Sequence, residues 1–99
     1  FSLWKPEAVK VTKGENNIGT YNKTPRSFRK WCKSCGGHLF TEHPVMGLTD
    51  VYAATIPDLR FKPAIHVNYQ ETVLHMKDGL PKFSDLPVEA GGSGELLPE

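Results

Sequence analysis

Cysteine is scarce in this sequence: among 99 residues only Cys32 and Cys35 occur. Two thiols so close together are no secreted disulfide framework, because so short a loop barely constrains the unfolded chain. Long hydrophobic runs are missing too. No stretch approaches the roughly 18 apolar residues that cross a bilayer as a helix, and the opening residues 1–10 lack a charged-then-apolar leader. A membrane partner is therefore not expected, and the expected location is the cytoplasm. Nor is there a dense block of one charge. Twelve Lys and Arg stand against eleven Asp and Glu, for a net charge of +1, which leaves no obvious footprint for a phosphate backbone, so no nucleic acid partner is expected. A Ser-His-Asp order, a phosphate-cradling glycine loop and an HExxH helix are all absent, which removes the common hydrolase and nucleotide-binding readings.

What is present describes an ordinary folded domain. Hydrophobic residues make up 38% and charged residues 23% of the chain, with 8 prolines and 9 glycines spread along it, a profile that excludes collagen-like and low-complexity classes. A chain of this size forms one domain with a modest stability margin, and a metal staple or a partner subunit would widen that margin.

Period-two alternation dominates the pattern. Val9 to Thr12 and Ile18 to Tyr21 flank the polar break at Gly14–Asn17 and predict a β-hairpin. After the Thr24-Pro25 turn, Ser27–Cys32 reads as a strand running into the cysteines and His38–Glu42 as its return partner, so the CxxC is expected on a hairpin tip. Asp50–Ile56 reads as a strand buried on both faces. Ala64–Tyr69 reads as a half-exposed strand, with Ile65, Val67 and Tyr69 on one side and His66 and Asn68 on the other. Glu71–Leu80 fits either a short helix or an extended segment, and we take it as extended. The expected fold is mostly β and antiparallel, over residues 1–83, followed by a Pro/Gly-rich C-terminal arm at 84–99.

The CxxC, followed at once by Gly36 and Gly37, carries the chemistry. Small residues after a second thiolate let backbone amides turn toward the sulfurs, which suits half of a tetrahedral zinc site. Zinc needs four ligands, so Cys32 and Cys35 need help from His38, His43, His66, His75, an acidic residue or a second copy of the chain. Two other readings stay open. A thioredoxin-like pair would rest at a helix N-terminus, but Gly36-Gly37 and β-prone residues follow here; alternatively the two thiols are idle. The histidines have plainer roles as half-exposed polar residues on strands and loops. Trp4, Trp31, Tyr52, Phe61, Tyr69 and Phe83 are expected as core before they are expected as a cleft.

The segment RKWCKSCGGHLF at 29–40, the strand DVYAATI at 50–56, and IHVNY at 65–69 followed by KDGLPKF at 77–83 together resemble the glutathione-dependent formaldehyde-activating enzyme family, which also includes centromere protein V. The resemblance extends from Trp4 to about Phe83, and its most specific element is the aromatic-Cys-x-x-Cys-Gly motif. It implies a Mss4-like fold of β-sheets around zinc and, in active relatives, carbon-sulfur lyase chemistry on the adduct of glutathione with formaldehyde. In those relatives a structural zinc is held by a CxC and a later CxxC, and a catalytic zinc by a CxCxxC. Cys32 and Cys35 match the later pair, which makes them expected metal ligands. The CxC and CxCxxC would fall upstream of Phe1, so no catalytic residue is assigned. The expectation is a truncated zinc-binding relative without the catalytic centre, with a glutathione-like small molecule and a second copy of the chain as candidate partners. The alternative is a non-catalytic homodimeric or adaptor domain that binds protein through an open sheet edge.

Overall fold

Proline 25 sets the geometry of the central hairpin. It fixes a negative φ at the first position of a two-residue loop, whereas the turns that best match strand twist need a positive φ there. The strands on either side, β2 (Ile18–Thr24) and β3 (Ser27–Cys32), are paired antiparallel with Thr24 opposite Ser27, and the register shifts between Tyr21 and Thr24. That irregularity reconciles the mismatched turn with the ladder. β4 (His38–His43) returns from the cysteines beside β3, and a loop with Gly47 at φ 66 leads into β5 (Leu48–Val51). The short β1 (Ser2–Trp4) pairs with β5, completing one open antiparallel sheet in the order β1-β5-β4-β3-β2.

These features come from a computed structural model that describes residues 1–99. It has two compact units, Phe1–Phe61 and Lys62–Glu99. The sheet lies in the first. Outside the strands the regular structure consists of five single-turn 3₁₀ helices, and no helix is long and apolar enough to cross a membrane. The architecture is mostly antiparallel β, as the alternating pattern predicts.

Cross-strand partners share a face of the sheet. Ile18, Cys32, Phe40, Val51 and Trp4 border a cavity of about 530 Å³ on one face, with residues 8–14 along its side. A register shift between β3 and β4 places the consecutive Leu39 and Phe40 on the same cavity wall. The opposite face carries Gly19, Tyr21, Arg29 and Trp31, set by the pairs Gly19–Trp31 and Tyr21–Arg29.

Several expected strands are not formed. Val9–Thr12 lies between two 3₁₀ turns, Pro6–Ala8 and Glu15–Asn17, and makes no ladder; the left-handed Gly14 turns the chain just before β2. The whole segment lies along the cavity wall instead, with Lys10 and Thr12 lining it as well as Val9 and Val11. The strand expected to reach Ile56 ends at Val51, opposite Ser2, and Ala53–Thr55 is a 3₁₀ turn. The Thr55 hydroxyl donates to the Tyr52 carbonyl at 2.7 Å, a local bond that competes with extended backbone. The aromatic core expectation also fails for most of its members: Trp4, Trp31, Tyr52 and Phe61 are exposed, and Val51 and Tyr69 are the two buried hydrophobic residues.

In the second unit, Ala64–Tyr69 forms no strand beyond a bridge between His66 and Lys82. Asn68 takes a left-handed φ of 52 and begins a 3₁₀ turn, which ends the extended run. Beyond that turn, which ends at Glu71, the stretch to Leu80 has no helix. Residues 84–99 are hydrogen-bonded into this unit: Ser84 N–H donates to Glu95 O at 2.8 Å and Leu97 N–H to Lys82 O at 2.8 Å. The unit is organised around charge. The Lys82 side chain is buried, and its ammonium donates to Asp78 Oδ1 at 2.8 Å and to Leu80 O at 2.9 Å. The sequence shows this only as an Asp and a Lys four residues apart across the DGLP turn.

Candidate metal centre

β3 ends on Cys32, and Lys33–Gly37 turns the chain back into β4. Two backbone bonds close the turn: Gly36 N–H donates to Cys32 O at 2.7 Å, and Cys32 N–H to Gly37 O at 2.8 Å. Gly36 adopts φ 76, a conformation that glycine enters without penalty. Gly37 donates its N–H to Cys35 Sγ at 3.4 Å, and a Cβ on Gly37 would sit 3.3 Å from that sulfur. Glycine at 37 therefore lets backbone approach the second thiol.

Asn17 braces the turn from the 3₁₀ turn before β2. Its carbonyl accepts from Lys33 N–H at 2.9 Å, and its amide donates to Ser34 Oγ at 2.7 Å and to Cys32 Sγ at 3.7 Å. Sequence reading missed this residue, although an Asn beside a predicted turn is a usable signal for such bracing.

Both cysteines are free thiols; Cys32 is half-buried and Cys35 exposed. The Cys32 thiol is pushed below the ordinary thiol range, chiefly by the backbone N–H of Cys35, then by that of Ser34 and by the Cys35 side chain. Amide donors favour the charged form of an acid, which accounts for the direction of this shift. No helix follows the pair, which removes the helix-terminus basis of a thioredoxin-like site.

None of the four candidate histidines is grouped with the cysteines, and no three His, Cys, Asp or Glu side chains converge as a metal-binding group. His38 Nε2 lies 3.1 Å from Thr41 Oγ1, with its ring 4.6 Å from that of Tyr52. His43 pairs with Asp50 at 2.6 Å. In the second unit, His66 pairs with Asp78 at 2.7 Å and His75 lies edge-on to Tyr69. Cys32 and Cys35 are thus two soft donors at one turn, where a closed zinc site needs four ligands.

Fold and site together define an open antiparallel β-sheet domain with an amide-supported thiol pair at a strand end. No protein-family model, no curated protein and no solved structure matches the chain.

Proposed function

We propose that this chain is the zinc-binding scaffold of a domain like the glutathione-dependent formaldehyde-activating enzymes, of Mss4-like fold, in which Cys32 and Cys35 are two of four structural thiolates. The observation that carries the reading is an amide donor at each sulfur, the Gly37 N–H on Cys35 Sγ at 3.4 Å and the Asn17 side chain on Cys32 Sγ at 3.7 Å. A structural zinc supplies a cross-link that contributes folding free energy outright. In this arrangement Cys32 anchors the metal to the sheet, Cys35 brings it to the turn, and Asn17 fixes the turn. No residue among the 99 is assigned a catalytic role, so lyase-type chemistry on a glutathione adduct belongs to a protein that also carries the missing thiolates.

If a second copy supplies the other two ligands, the contact must be tip to tip. Two thiolates on one zinc sit about 4 Å apart. Pairing of two copies through the β2 edge would put three strand spacings, about 14 Å, between the two Cys32 backbones. Edge pairing and zinc sharing are thus alternative dimers. The β2 edge is also blunted by its irregularity and by Lys23, which favours the shared metal.

Titration with Co²⁺ tests the proposal, because thiolate coordination gives strong charge-transfer absorption. We expect saturation at one metal per two chains, together with dimerisation, and loss of both in Cys32→Ser and Cys35→Ser. A protein whose thiols remain freely alkylated at saturating Zn²⁺ refutes it.

A further inference from the structure

We propose that the sheet face opposite the cavity binds single-stranded nucleic acid, stacking bases on Trp31 and Tyr21 and holding phosphates with the cations that run along the β2–β3 hairpin. The near-neutral charge of the whole chain conceals a division between its two units. Phe1–Phe61 holds nine Lys and Arg against five Asp and Glu, whereas Lys62–Glu99 holds three against six. From Asn16 to Thr41 there are five Lys and Arg and no acid. Lys30 is on the cavity side, where its ammonium pairs with Glu42 at 3.2 Å. Lys23, Arg26, Arg29 and Lys33 are exposed and take part in no salt bridge. Nearby, the Asp50 carboxylate is engaged by His43.

The aromatic residues of this face are arranged for stacking. The space that a Cβ on Gly19 would fill is taken by Cε2, Cζ2 and Nε1 of Trp31, so the indole lies down on the strand at glycine. Trp31 is still 37% exposed and Tyr21 52% exposed. Tyr21 is directly opposite Arg29 and diagonal to Trp31, which groups two aromatic rings and one planar guanidinium on one side of the sheet. Exposed aromatics on a β-sheet, flanked by Lys and Arg, form the stacking surface by which single strands are held without sequence readout. The cations run from Arg26 at one end of β3 to Lys33 at the other, a span of about 23 Å at the usual rise per residue, which matches a short site of about four nucleotides. A double helix keeps its bases stacked on each other and would offer this face phosphates alone.

The test uses the 99-residue protein with Trp4→Phe, so that Trp31 alone fluoresces, titrated with a 12-nucleotide DNA strand, the same strand as RNA, its 12-base-pair duplex, and heparin. We expect saturable binding of a single strand with quenching of Trp31. Log K should fall against log salt with a slope of about −2 to −3, from three or four phosphate contacts at about −0.7 each. The preferred sugar identifies the source as RNA or DNA. Followed by the anisotropy of an end-labelled strand, Trp31→Ala should bind about 5- to 100-fold more weakly, and Trp31→Phe should keep most of the affinity, which separates stacking from any loss of folding. Arg26→Gln with Lys33→Gln, both on exposed side chains, should reduce the slope by about 1.4. Absence of saturable binding to either single strand overturns the proposal. So does equal binding of single strand, duplex and heparin without quenching of Trp31.

Discussion

Replacing Gly19 by alanine sets two opposed effects against each other at one atom. The backbone at Gly19 is not left-handed, so alanine fits it and restricts the unfolded chain, a gain of about 0.4–1 kcal/mol. Against this, the added methyl would occupy the place of the Trp31 indole. If the ring stays, overpacking costs about 1–3 kcal/mol. If it swings away, the sheet loses its cover. A fully buried aromatic removes about 150–250 Å² from water, and Trp31 is already 37% exposed. Uncovering about 80 Å² more, at about 25 cal/mol per Å², costs about 2 kcal/mol. The steric loss exceeds the entropic gain on either route, and Gly19→Ala should destabilise the sheet by about 1 kcal/mol. Urea unfolding followed by Trp31 emission in the Trp4→Phe background measures this, with an accompanying red shift if the ring has moved out. A higher urea midpoint with an unchanged spectrum would refute the reasoning, because the indole would then not depend on the bare strand.

Two further predictions concern ionisation. Cys32 is held below the ordinary thiol range, first by the Cys35 N–H and then by the Ser34 N–H, so in metal-free protein iodoacetamide should modify Cys32 at a lower pH than a free thiol requires, as peptide mapping after brief labelling would show. Asn17→Ala, which unties the turn, should raise the pH at which Cys32 becomes reactive, and an unchanged profile counts against the bracing role. The Asp78 carboxyl is held far below the usual carboxylate range, first by the Lys82 hydrogen bond, then by His66 and the Leu80 N–H, with Glu99 as the other charge facing Lys82 at 3.8 Å. A depressed folded pKa contributes stability above the unfolded value of about 3.9 and loses it as pH falls toward the folded one. Protection of the His66 and Phe83 amides, relative to exchange in the unfolded chain at the same pH, should therefore fall below about pH 4, and Asp78→Asn should abolish that acid-dependent part.

The strands that were legible are those whose ladders have partners on both sides or a turn that dictates them. β3 and β4 announce themselves through Ser27–Cys32, His38–Glu42 and the glycines between, and they occupy the expected places. Val9–Thr12 and Ala64–Tyr69 alternate just as well, yet alternation reports only that successive side chains face opposite ways. Whether a neighbouring strand is there to accept the backbone bonds is a tertiary fact, and for these segments none is. The cysteines were legible as a pair with amide donors close by, whereas Asn17 was not, because its contact spans the length of β2 and β3. Lys82 was hidden for a related reason: a buried lysine is readable only once Asp78, Leu80 and Tyr69 are seen around it. Whole-chain charge hides a feature in a different way, since the acids of the second unit cancel the cations of the first in the sum.

The alternation of β3 sorts the two proposed activities onto opposite sides of one strand. Cys32 and Phe40 belong to the cavity side, Arg29 and Trp31 to the other. A side-chain change on one face leaves the other face's atoms in place, because the pleat separates them. The two surfaces meet only where β3 ends. There Lys33, an exposed residue just past the strand, donates its N–H to Asn17 O, and Cys32 just before it carries the thiol. A metal that tightens the Cys32–Cys35 turn would therefore fix Lys33 as well, without touching Trp31. Coupling between zinc and a single strand should accordingly be confined to the phosphate contact at that end, and the stacking contribution should be the same with the metal present or removed.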